Sequence, residues 1–74
     1  MPKNDAESAR WLRRAAEQGH VSAQCALGAN CASGTGVPQN DTEAANWYRK
    51  AAEHGDTDAQ AQLGLMYKTG RGVT

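Results

Sequence analysis

This sequence has no isoleucine and no phenylalanine, and 14 of its 29 apolar residues are alanine. That scarcity excludes a core of interlocking large aliphatics. Such a chain packs only where backbones approach closely, which Ala and Gly permit. β-Branched residues are also few, so helix on helix is favoured over a sheet. Net charge is absent too: eight basic residues balance eight acidic ones, which leaves no electrostatic footprint for nucleic acid or an anionic membrane. No run approaches the roughly 20 apolar residues that span a bilayer. Met1-Pro2-Lys3 leads straight into polar residues, without the apolar stretch of a signal peptide. The default expectation is a soluble, cytoplasmic protein, although a slice of an exported chain would read the same way. Two cysteines in a chain of mean hydropathy −0.74 do not make a disulfide framework.

What is present is one phrase written twice. Sliding the sequence by 36 residues lays Trp11 on Trp47, Asn4-Asp5 on Asn40-Asp41 and Glu7 on Glu43. The same shift aligns Ala15-Ala16-Glu17 with Ala51-Ala52-Glu53, Gly19 with Gly55, and Leu27-Gly28 with Leu63-Gly64. It closes on Gly36-Val37 with Gly72-Val73, so units 2–37 and 38–73 account for nearly all of a single 74-residue domain. At this size the core is small and stability marginal.

Local signals divide each unit into two helices. Asn40 is a good N-cap and Glu43, three residues on, completes a reciprocal capping box; Asn4 and Glu7 repeat it. Asp5 and Asp41 suit the positive end of the helix dipole. Ala9, Leu12 and Ala16, with Trp11 and Ala15 alongside, form a helical stripe. Gly19 and Gly55 are stops for left-handed backbone. The expected helices are 5–18, 22–33, 41–54 and 58–69, antiparallel in sequence order. Gly28 and Gly64 sit inside the second helix of each unit at about 1 kcal/mol each relative to Ala, which points to a tight helix crossing. Trp11, Trp47 and Tyr48 are the expected core wedges. Arg13–Glu17 and Arg49–Glu53 are i,i+4 surface pairs.

The phrases WYRKAAEHG, DAQAQLGLMYKTGRGV and VPQNDTEAA resemble the Sel-one-like repeat, a 36-residue relative of the tetratricopeptide repeat. In that family's phase the chain holds one complete repeat, about 22–55, flanked by half repeats. The resemblance implies a right-handed all-α superhelix serving as an adaptor in protein complexes. One departure is visible: Cys31 stands where the second unit has Tyr67.

Chemistry finds little footing. Cys25 and Cys31 lie about 240° apart around one helix, so free thiols are expected, Cys31 in the core and Cys25 partly exposed. There is no CxxC, and His20 and His54 are isolated turn residues, so neither a metal nor another cofactor is expected. The glycines of Gly34-Thr35-Gly36 and Gly70-Arg71-Gly72 follow helices rather than precede them and lack the lysine of a phosphate loop. No SxxK, GxSxG or HExxH occurs, and an enzyme is not expected. Arg10, Arg13, Arg14, Arg49 and Lys50 make a basic patch read as a solvated face, because nucleic acid would need exposed aromatics beside it.

The favoured reading is therefore a non-enzymatic scaffold for a protein or peptide, without nucleic acid or membrane. By analogy with the tetratricopeptide architecture, the second helix of each unit lines the groove. The candidates are Ser22, Cys25, Ala26, Ala29 and Asn30, with Asp58, Ala61, Gln62, Leu65 and Met66. The alternative is an assembly module whose uncovered first and last helices pair between chains, as a homodimer or an end-to-end stack.

Overall fold

The computed structural model describes residues 5–72. Four helices of 13 residues each follow one another: α1 Asp5–Glu17, α2 Val21–Ser33, α3 Asp41–Glu53 and α4 Thr57–Thr69. Every boundary falls within one residue of the expectation. Consecutive helices pack on each other, giving a body of about 37 × 22 × 17 Å.

The hairpin turn within each unit is the same turn. Gly19 N–H donates to the Ala16 carbonyl at 3.0 Å and His20 N–H to the Ala15 carbonyl at 3.1 Å. Gly55 and Asp56 repeat this onto Ala52 and Ala51 at 3.0 and 3.1 Å. Both glycines carry left-handed φ, 94° and 90°, so the stops are as expected. The longer connection between units closes with Asn40 N–H on the Cys31 carbonyl at 2.8 Å.

That bond revises the capping box. Asn40 Oδ1 accepts from Glu43 N–H at 3.0 Å, as an N-cap should. Glu43, however, does not return to the Asn40 N–H, which Cys31 already occupies. Its carboxylate accepts instead from Arg13 Nη2 at 2.8 Å, tying α1 to α3. A charge-assisted partner displaces the neutral one. Arg13 is thereby taken from the expected pairing with Glu17, and Arg49 Nη2 donates to the Tyr67 hydroxyl at 3.2 Å. The Asn4 cap lies outside the described residues.

The core is made largely of alanine: Ala16, Ala23, Ala44, Ala45, Ala51 and Ala59 are buried with Leu27, Cys31, Trp47, Tyr48 and Met66. Leu27 and Cys31 are fully enclosed. Tyr48 lies flat on α2, where a methyl added at Gly28 would come within 3.0 Å of its ring. The tight crossing expected at Gly28 is real. At Gly64 it is not: a methyl there meets nothing within 4 Å, because no helix follows α4 among the described residues. Trp11 also departs from expectation. It is 65% exposed, whereas Trp47 is 8% exposed.

Candidate protein-binding surface

The predicted groove residues repeat at i, i+3, i+4 and i+7 on α2 and again on α4, one face of each helix. Ser22 and Ala29 are exposed on α2, and Cys25, Ala26 and Asn30 are half-buried. On α4, Asp58, Ala61, Gln62 and Leu65 are exposed, Leu65 at 54%. Met66 is a correction. It is 5% exposed and belongs to the core, a flexible apolar thioether standing where the matching residue of α2, Asn30, is polar and half-buried.

Cys25 lies within electrostatic reach of the start of α4. Burial first, and then the Asp56 and Asp58 carboxylates, push the Cys25 thiol above its ordinary value. Burial and Glu43 do the same to Cys31, against a smaller opposing pull from Arg13. Both cysteines are free. A raised thiol holds its proton and is a poor nucleophile, so these environments oppose thiol redox chemistry. Asp56 caps α4, its Oδ1 accepting from Ala59 N–H at 2.9 Å. His20, at the same place before α2, makes no side-chain cap bond. The Asp-x-x-Ala spacing before an apolar run would have revealed the Asp56 cap in the sequence.

The far end of α4 is fastened by a contact that sequence reading missed. Arg71 grips Asp41 through Nη2–Oδ1 at 2.8 Å and Nε–Oδ2 at 3.2 Å, and Gln39 Nε2 donates to the same Oδ1 at 2.6 Å. Gly72 packs so closely on the Asp41 carbonyl that any side chain would collide with it. No local spacing rule links residues 30 apart, so only the fold exposes this pair.

The opposite face, formed by α1 and α3, carries the tryptophans. Lys50 Nζ sits 4.8 Å from the Trp47 ring and the Arg14 guanidinium 5.8 Å from the Trp11 ring, both in cation–π range. Glu7, Arg10, Trp11 and Arg14 line a shallow depression. Four of the five basic residues are thus engaged, in the two ring contacts, the Arg13–Glu43 pair and the Arg49–Tyr67 bond, and Trp11 is an exposed aromatic beside them.

The family model of the Sel1 repeat matches residues 1–20, 21–56 and 57–74. The chain belongs to the Sel1 repeat family. Its fold is that of solved Sel1 relatives. A Sel1 repeat protein from Oxalobacter formigenes superimposes with a TM-score of 0.96 at 39% identity, over 100% of this chain and 30% of that one. The protein c5321, a protective antigen present in uropathogenic Escherichia coli strains and displaying an SLR fold, does so at 0.94 and 39%, over 100% and 16%. The chain therefore spans less than a third of either relative. No curated protein matches it. The four helices are thus a Sel1 repeat scaffold of the α-solenoid type. Among the described residues, no helix is long and apolar enough to cross a membrane.

Proposed function

We propose that this Sel1 repeat chain is a non-enzymatic scaffold that binds a protein segment or peptide along the α2–α4 face. The observation that carries the reading is the composition of that face. Ala26, Ala29 and Ala61 keep it shallow, so a bound backbone comes close. Leu65, 54% exposed, offers an apolar anchor, and Asp58 offers a charge seven residues away, about 10 Å along the helix. A partner fitting this face pairs an apolar side chain with a basic one at about that separation. Shared letters such as Leu27 and Ala59 serve packing, while Ser22/Asp58, Cys25/Ala61, Ala26/Gln62 and Ala29/Leu65 are where the copies differ.

The test is selection of peptides from a displayed random library against the 74-residue chain. Leu65→Glu and Asp58→Lys should each weaken the selected peptides at least tenfold, and Glu17→Lys on α1 should leave them unchanged. Met66 is unsuitable for this purpose because its substitution opens the core. Selected peptides that bind both groove variants as tightly as the parent would remove the face from consideration.

A further inference from the structure

The chain contains its own template for an interface: the seam where unit 38–73 docks on unit 2–37. Two contacts and one burial mark it. The Tyr48 ring covers α2 at Gly28, Arg13 pairs with Glu43 at 2.8 Å, and Trp47 is covered to 8% exposure. Trp47 follows a complete helix pair, α1 and α2, whereas no helix precedes the one that carries Trp11 among the described residues, and their exposures differ accordingly.

Moving this seam on by 36 residues brings the α4 face of one copy against the α1 face of another. The receiving face then offers Gly64 with open space over it and Tyr67 at 53% exposure; the incoming face offers Trp11 at 65% and the half-buried Leu12. Charge is preserved. Arg49 takes the place of Arg13, and Glu7 the place of Glu43. The Tyr67 hydroxyl already accepts from Arg49 at 3.2 Å, which holds the guanidinium over this face.

The tyrosine also changes sides. Inside the molecule the incoming helix brings the large Tyr48 and the receiving helix has the small Cys31, both in one buried cluster. Between copies the incoming residue is the smaller Leu12 and the receiving one the larger Tyr67. Each contact thus pairs one tyrosine with a smaller residue of the facing helix.

We propose that the α4 face is complementary to the α1 face, and that copies of this chain stack head to tail in the register that joins its own two units. The partner is a second copy. Because the two surfaces differ, the contact is heterologous and does not close on itself, so it adds copies rather than stopping at two.

Analytical ultracentrifugation of the 74-residue chain tests this, with circular dichroism to confirm helicity of each variant. The parent mass should climb with concentration from 7.9 kDa past twice that value. Trp11→Glu blocks only the incoming face and Gly64→Arg only the receiving face; both sites are open to solvent, so the fold should survive. Each variant alone should stay at monomer mass, and their equimolar mixture should reach twice that mass and go no further. A parent that stays at 7.9 kDa at every concentration overturns the proposal. So does a variant that dimerises alone, which would mean that like faces meet.

Discussion

Helices α2 and α4 are built from one template, 13 residues each, and both end on a left-handed glycine, Gly34 or Gly70. Yet α2 buries Ala23, Gln24, Leu27, Gly28 and Cys31, whereas α4 buries Ala59 and Met66. The difference lies in their neighbours. α2 is packed between α1 and α3, and α4 rests on α3. Helix α4 also holds devices that α2 does without: the Asp56 cap before it and the Arg71–Asp41 grip after it. A repeat letter therefore has no fixed role. A neighbouring helix makes it core, and the absence of one makes it surface.

The largest effect that separates the two helices should come from their leucines. Leu27→Ala, at a fully enclosed site, should cost about 3 kcal/mol in urea unfolding. Leu63→Ala, at a half-buried site, should cost less than about 1.5 kcal/mol. Equal losses would break the comparison. Capping comes next. Asp56→Ala should lose about 1 kcal/mol, and His20→Asp should give α2 a cap it lacks and raise stability by about 0.5–1 kcal/mol. A neutral Asp56→Ala would mean that tertiary contact alone holds α4.

The smallest effect should be alkaline. Burial raises both thiols above their ordinary 9.0 and Tyr48 above 10.0. A folded-state value above the unfolded one stabilises the protein fully below the unfolded value, and that contribution is lost as pH rises through the folded value. Urea midpoints should therefore hold near pH 7 and fall from about pH 9 upward. Ala61 and Tyr67 stand on α4 where α2 has Cys25 and Cys31, so the thiol part of this loss belongs to the α2–α3 seam. Cys25→Ser with Cys31→Ala should flatten the decline; an unchanged slope would place its source elsewhere.

Much of the fold was legible because its signals are local. Asn40, Gly19, Gly55, Gly34 and Gly70 mark helix ends by backbone chemistry, and the 36-residue echo doubles each signal. Cys31 was readable as core from helical position. Trp11 was not, because its match to Trp47 records a shared template and says nothing of what stands in front. Gly64 misled in the same way, and Glu43 found Arg13 across 30 residues rather than its own helix end. Of the groove candidates, the small and polar residues stayed outward or half-buried. Met66 turned in because, on a sparsely packed helix, an apolar side chain with free rotors gains most by reaching the core.

The most direct test of the neighbour rule turns on sign rather than size. Gly28→Ala and Gly64→Ala make the same change at matching helix positions. Alanine gains about 1 kcal/mol of helix propensity at either. At Gly28 the new methyl meets the buried Tyr48 ring at 3.0 Å, and overpacking should turn that gain into a net loss of about 1 kcal/mol. At Gly64 it meets nothing, and the gain should stand. Urea unfolding at low protein concentration should show Gly28→Ala below the parent and Gly64→Ala above it. Two shifts of the same sign would contradict the account.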